Sequence, residues 1–150
     1  MTDVSYLPDV NVLVALSDTE HVCYELASTW FQGIGDARFI LCPITEAGFI
    51  RVASMPQLGN RELKDAIALA REMSRLPGYC FWPISESWLS LVEPFRSRLH
   101  GYKQVTDAYL LGMAIKRNAV LVTLDQHIQA VADVEFSRHL LTLRHRVKIS

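Results

Sequence analysis

Apolar residues follow two alternating spacings along this chain. Short apolar runs typical of buried strands recur five times, and the segments between them place apolar residues every three or four positions, as amphipathic helices do. The pattern predicts strands over residues 4–7, 38–42, 79–82, 119–124 and 140–143. It predicts helices over residues 10–16, 22–31, 43–54, 61–74, 85–99 and 104–118, with a short further helix before the last strand.

The order of these elements indicates the fold class. Strands alternating with helices predict an α/β domain with a central parallel sheet of about five strands, flanked by helices on both faces. Pro94 falls inside the predicted helix 85–99 and is expected to bend or split it. A chain of 150 residues suggests one domain, 1–150, that is large enough for a hydrophobic core.

Composition and charge narrow the classes of protein that fit. Half of the residues are hydrophobic and 21% are charged, which is typical of a globular protein. The net charge of −1 gives no overall basic field for nucleic acid, although a metal ion or a local basic strip can still hold phosphates. Three scattered cysteines without CxxC spacing argue against a disulfide scaffold or a Cys-rich zinc site. With no signal peptide and no apolar run long enough for a membrane helix, a cytoplasmic location is expected.

Four of the 16 acidic residues interrupt apolar patterns. Asp9 directly follows the first strand, and Asp125 follows the most apolar strand. Glu46 and Asp107 are in phase with the apolar residues three, four and seven positions after them, so each belongs to the apolar stripe of its helix. The carboxyl ends of parallel strands and the starts of the helices meet at one edge of the sheet, where ligands bind. We therefore expect all four acids at that edge.

A helix cap is the simpler explanation for each acid taken alone, because helix N-termini favour negative charge. Capping does not require the apolar stripe, however, and Glu46 and Asp107 both lie on it. Four carboxylates close together repel one another and raise one another's pKa, and a divalent cation would remove that conflict. Oxygen donors without His or Cys suit Mg²⁺ or Mn²⁺. The pattern predicts a metal site and metal-assisted phosphodiester hydrolysis.

Polar residues near these acids suggest supporting roles. Asn11, Thr106 and Thr123 are placed to orient the carboxylates or to hold water, although ordinary helix-start and strand-end chemistry explains them equally well. His127, two residues after Asp125, is considered as a general acid, but a lone His is a weak indicator.

A basic cluster precedes Asp107 in the chain. Arg96, Arg98 and Lys103 belong to it, and they are placed to contact RNA phosphates if this segment borders the acids. A solvated helix end is the alternative explanation. The sequence therefore leaves an RNA contact open at this point.

Four segments, in their order along the chain, resemble the PIN-domain ribonucleases, specifically the VapC-type toxins of bacterial toxin–antitoxin pairs. These segments are PDVNVLVAL, PITEAGFIRV, VTDAYLLGMA and LVTLDQHI. The resemblance covers nearly the whole chain and places the family's four acids on Asp9, Glu46, Asp107 and Asp125, its hydroxyl residue on Thr123 and a frequent polar residue on Asn11. It implies a Mg²⁺- or Mn²⁺-dependent endoribonuclease that cuts single-stranded or looped RNA. It also implies a homodimer and inhibition by a cognate antitoxin whose tail fills the active-site groove.

Three other classes of protein were weighed. A signalling receiver domain would carry a Lys after its last strand, and none follows the apolar strands here. A phosphatase with a DxDxT nucleophile is disfavoured because Asn11 stands where the second Asp would be. A catalytically silent PIN-like module that binds RNA or a partner remains the alternative, although the presence of all four acids argues against it.

Overall fold

The computed structural model describes residues 3–145, in which a five-stranded sheet forms the centre. All neighbouring strands pair in parallel, in the order β3-β2-β1-β4-β5. The strands are β1 (Ser5–Pro8), β2 (Arg38–Leu41), β3 (Tyr79–Phe81), β4 (Val120–Thr123) and β5 (Leu140–Thr142). The strand order reverses at the central β1, because β2 and β3 lie on one side of it and β4 and β5 on the other. A reversal of this kind opens a crevice at the carboxyl ends of the strands.

Seven α-helices connect and cover the strands in the described part of the chain. They are α1 (Val10–Ser17), α2 (Tyr24–Gly33), α3 (Pro43–Ala53), α4 (Leu63–Met73), α5 (Trp88–Val92), α6 (Val105–Lys116) and α7 (Ile128–Ala132). Most ends differ from the predicted ends by one to three residues, as is usual where helices and strands fray. No helix within residues 3–145 has both the length and the apolar character needed to cross a bilayer.

Alternate residues of the strands pack against helices on the two faces of the sheet. Leu7, Ile40 and Leu121 belong to the core formed with α5, α6 and α7. Phe39 and Leu41 point to the opposite face, where α1, α3 and α4 cover them. Since side chains alternate across a strand, burial on both faces explains why the strands read as continuous apolar runs. The predicted α/β class, with helices on both faces of a parallel sheet, is confirmed.

The predicted helix 85–99 is divided in the structure. It consists of α5 followed by a 3₁₀ helix, Glu93–Arg98, and Phe95 leaves helical geometry with φ −135°. Pro94 explains the division, because its ring nitrogen cannot donate the hydrogen bond that would continue α5. Leu91, Val92 and Phe95 nevertheless remain buried, so the predicted apolar stripe is kept across the break.

Helix α6 packs against the backbone of α5 at Gly112. A Cβ atom at this glycine would lie 2.7 Å from the Leu91 carbonyl oxygen and 2.9 Å from the Leu91 Cβ. Only glycine permits this close approach without a shift of one helix. The packing fixes the position of α6, which carries Asp107 in its first turn.

Candidate active site

The four predicted acids lie on elements that meet at the carboxyl edge of the sheet. Asp9 directly follows β1 and caps α1, and Asp125 comes two residues after β4. Glu46 and Asp107 lie in the first turns of α3 and α6. Because β1 and β4 are neighbours, Asp9 and Asp125 flank the point where the strand order reverses.

Asp9 is enclosed and held by two kinds of donor. Its side chain is 3% exposed, and its Oδ1 accepts the backbone N–H of Val12 at 3.1 Å. Its Oδ2 accepts the Thr123 hydroxyl at 2.5 Å. Burial raises the pKa of Asp9, the hydrogen bonds from Thr123 and from the start of α1 oppose this rise, and the charge of Asp125 adds to it. Asp9 is thus both a helix cap and a buried acid whose negative charge is disfavoured.

Asp107 shows the same electrostatic conflict more clearly. Burial, and then the charges of Asp9 and Asp125, raise the pKa of Asp107 to about 7. Among the ion pairs of residues 3–145, none involves Asp9 or Asp107. The structure therefore brings three carboxyl groups close enough to repel one another, and no described side-chain cation offsets this repulsion for two of them.

Asp125 is the more open member of this group. Its Oδ1 accepts the backbone N–H of His127 at 2.9 Å and lies 2.8 Å from the His127 Nδ1. The Asp125 side chain is 37% exposed and that of His127 is 90% exposed. His127 therefore contacts Asp125 on its solvent-exposed side. Asp9, in contrast, is buried in the protein.

Glu46 differs from the other three acids in the group that its charge affects. It is half-buried, and its charge is a secondary cause, after burial, of the raised pKa of Tyr79. It is not among the charges that raise the pKa of Asp9 or Asp107. Consistently, no group of three or more His, Cys, Asp or Glu side chains in the described residues is arranged to hold a metal ion. The oxygen donors suit a hard cation chemically, but their positions do not form a closed ligand set.

Thr123 links two of the acids. Its hydroxyl donates to Asp9, and it accepts the backbone N–H of Asp125 at 3.0 Å. Asn11 and Thr106 are exposed and lie close to Asp9 and Asp107 in the chain. The Asn11 backbone N–H donates a hydrogen bond to Asp9, which opposes the rise of its pKa. Of the three residues expected to orient the carboxylates, Thr123 has the clearest contacts for that role.

We expect Thr123→Val to reduce catalytic activity about 10- to 100-fold, the usual effect of losing a group that orients a metal ligand. Valine keeps the shape of the buried side chain but removes the donor to Asp9. Thr142→Val is the matched control, because Thr142 pairs with Thr123 across β4 and β5 and its buried hydroxyl has no hydrogen-bond partner. Activity measured against Mg²⁺ or Mn²⁺ concentration tests this. Equal activity and metal dependence in the two variants would contradict an orienting role.

The three basic residues considered as RNA contacts have different surroundings. Arg98 is held inside the fold, since it donates to the carbonyl oxygens of Val131 and Ala132 and pairs with Glu135 at 2.8 Å. Arg96 is exposed and lies 3.4 Å from Glu93. Lys103 lines a cavity beside Asp125. Of the three, Lys103 alone borders the acids through this cavity, and Arg98 connects the 3₁₀ helix to α7.

Two cavities are lined in part by Asp125. One, of about 480 Å³, is lined by Asn11, Asp18, His21 and Leu58, among others. The other, of about 530 Å³, is lined by His100, Tyr102, Lys103, Gln104 and His127. Tyr102 was not among the residues predicted from the sequence, where its only signal is an aromatic side chain in a polar loop.

Comparison with known proteins agrees with this arrangement. The family model for the PIN domain matches residues 6–134. Ribonuclease VapC44 of Mycobacterium tuberculosis is 40% identical over 139 residues, covering 91% of this chain and 98% of the relative. Ribonuclease VapC38 of the same species is 36% identical over 128 residues, covering 84% of this chain and 89% of the relative.

Solved structures show the same fold at low sequence identity. The Mycobacterium tuberculosis toxin VapC20, described as cleaving the sarcin-ricin loop, superposes with a TM-score of 0.61 at 10% identity, covering 88% of this chain and 92% of that one. FitAcB from Neisseria gonorrhoeae superposes with a TM-score of 0.59 at 20% identity, covering 84% of this chain and 92% of that one. The family match and the long, similar relatives together show that this chain belongs to the PIN-domain family, as a VapC-type member.

Proposed function

We propose that this protein is an endoribonuclease that hydrolyses RNA phosphodiester bonds with Mg²⁺ or Mn²⁺ held by Asp9, Glu46, Asp107 and Asp125. The observation that carries the proposal is the convergence of three mutually repelling carboxyl groups at the carboxyl edge of β1 and β4. Relatives named as ribonucleases, at up to 40% identity over 91% of the chain, support the substrate class.

The chain's own groups would prepare the site for a cation. Thr123 and the Val12 N–H hold the Asp9 carboxylate in one orientation, and His127 does the same for Asp125. A bound cation would activate water and stabilise the charge that develops on the phosphate. Asp107, whose pKa is about 7, would release its proton as the cation binds, because metal ligands must be deprotonated. Glu46, in the first turn of α3, would be the fourth carboxylate of the set.

Incubation of the purified protein with labelled single-stranded RNA tests the proposal. We expect cleavage in Mg²⁺ or Mn²⁺ and none when EDTA removes the ions. RNA that stays intact under all of these conditions would contradict it. The alternative, a silent module that binds RNA or a partner, would then be favoured, since the described residues hold no closed ligand set.

We further propose that the protein acts as the toxin of a toxin–antitoxin pair, with a homodimeric assembly and a cytoplasmic location. The VapC-type relatives and the toxin among the structural neighbours support this role. Expression of the chain alone should slow bacterial growth, and co-expression of the cognate antitoxin should restore it. Normal growth without any antitoxin gene would contradict the toxin role.

A further inference from the structure

The two cavities beside Asp125 differ in chemistry. The cavity of about 480 Å³ is lined by Asp18, His21, two amide side chains and apolar side chains, with no Lys or Arg among the described residues that line it. The cavity of about 530 Å³ contains Lys103, Tyr102 and two histidines, so a positive charge and an aromatic ring border the acids on this side. An RNA strand crossing the site would meet a different environment on each side of the reacting phosphate.

Tyr102 is held in an exposed position by an ordered turn. Its side chain is 83% exposed, although it begins a 3₁₀ helix, Tyr102–Gln104, that leads directly into α6. The Gln104 Oε1 accepts the His100 N–H at 2.7 Å, and the Gln104 N–H donates to the Gly101 carbonyl at 3.1 Å. These contacts close the turn. The ring is therefore presented to solvent by a pre-formed segment.

Lys103 supplies a positive charge beside this ring. Within residues 3–145 its ammonium group takes part in no ion pair, and the side chain is exposed. Phosphates of nucleic acids are contacted mainly by Arg and Lys, and unpaired bases stack on aromatic rings. The volume of about 530 Å³ lies within the range of cavities that receive small molecules, so the cavity is large enough for a nucleotide.

We infer that this cavity binds the nucleotide next to the scissile phosphate of a single-stranded RNA, with its base on Tyr102 and its phosphate at Lys103. The inference rests on the proposed ribonuclease function and adds a binding site to it. A protein segment is the less suitable occupant, because an exposed ring paired with a lone cation recognises a stacked base and its phosphate together. Asp125, which borders both the cavity and the acids, places this nucleotide directly beside the reaction.

Binding measured without metal separates this site from catalysis. We use a fluorescein-labelled single-stranded RNA of about 12 nucleotides, in EDTA, and follow its anisotropy. Tyr102→Ala should weaken binding about 5- to 150-fold, the range that loss of one stacked base gives. Tyr102→Phe keeps the ring and should remain within about twofold of the wild type.

The charge of Lys103 is tested by salt. Lys103→Ala should reduce the slope of log affinity against log salt concentration by about 0.7, the value for one phosphate contact with a single strand. Lys116→Ala is the matched control, because Lys116 lies in the last turn of α6, at the opposite end from Asp107. It should leave the slope unchanged. Equal slopes for both variants would overturn the phosphate contact.

An abasic nucleotide moved along the RNA locates the stacked base. Wild-type binding should weaken at one position, and Tyr102→Ala should be insensitive at that same position, because the two changes remove one interaction. If the wild type cuts RNA but Tyr102→Ala binds it equally well, the nucleotide site is wrong and the ribonuclease function stands. If Tyr102-dependent binding occurs without any cleavage, the site stands and the ribonuclease function is wrong. RNA that is neither bound nor cut would overturn both.

Discussion

Asp9→Asn is expected to lower RNA cleavage at least about 100-fold while the protein stays folded. Losing a group that only orients a ligand typically costs 10- to 100-fold, and Asp9 is proposed as a ligand itself. Asparagine is also a good helix cap, so α1 should keep the contact with the Val12 N–H. The substitution removes a buried charge and nothing of the side chain's shape. Initial cleavage rates and thermal unfolding, measured on the same preparation, separate the two effects.

Asp65→Asn is the control for this experiment. Asp65 is an exposed acid in the first turn of α4, so it undergoes the same chemical change at another helix start. It should cleave RNA like the wild type. Growth arrest in cells should follow the same pattern, with loss only in Asp9→Asn. Full cleavage by Asp9→Asn would show that the buried acid serves only as a cap.

Asp107→Asn is expected to stabilise the metal-free protein at pH 8 but not at pH 4. The pKa of Asp107 rises from 3.8 to about 7 on folding. The folded state therefore binds this proton more tightly than the unfolded state, and the free energy of unfolding falls as pH rises from about 4 to about 7. We expect the free energy of unfolding of Asp107→Asn to exceed that of the wild type by about 2 kcal/mol at pH 8. This is half of the full linkage value, because solvent reaches part of the side chain. This corresponds to a rise in Tm of about 4 to 8 °C.

Added metal should make the wild type more stable than Asp107→Asn at pH 8. Mg²⁺ or Mn²⁺ that binds only the folded wild type should raise its free energy of unfolding at pH 8 by about 2.7 kcal/mol at 100 times the dissociation constant, and its Tm should rise accordingly. Asp107→Asn should respond much less, because it lacks one carboxylate of the set. Asp65→Asn should follow the wild type in both conditions. A metal response of the same size in all three proteins would exclude Asp107 as a ligand.

The central sheet was the most predictable part of the molecule. The central strands β1, β2 and β4 are mostly buried, so they contain apolar runs such as residues 119–122. Asp9, Asp107 and Asp125 were recognisable for the same reason, since a charge contrasts sharply with an apolar background. Glu46 satisfied the same spacing rule, and its charge acts on the pKa of Tyr79 but is not among the causes of the raised pKa values of Asp9 and Asp107.

Contacts between distant segments were not predictable from local patterns. Arg98 lies in a basic cluster, but its contacts are with residues 33 to 37 positions later in the chain. The spacing of apolar residues does not predict where α7 packs. The role of Tyr102 was hidden for a related reason, because the cavity beside it forms only when residues 100–104 and the start of α7 come together.

The bond between Thr123 and Asp9 joins residues that are 114 positions apart in the chain. It forms only when β4 has paired with β1, and contacts of such long sequence separation are late events in folding. A growing polypeptide on the ribosome therefore has α1 to α5 available for folding before the acidic cluster can exist. The cluster can form only after Asp125 has left the exit tunnel of the ribosome. If the proposed toxin is synthesised in the cell that it can harm, its own synthesis delays the appearance of its activity until β4 and Asp125 have emerged.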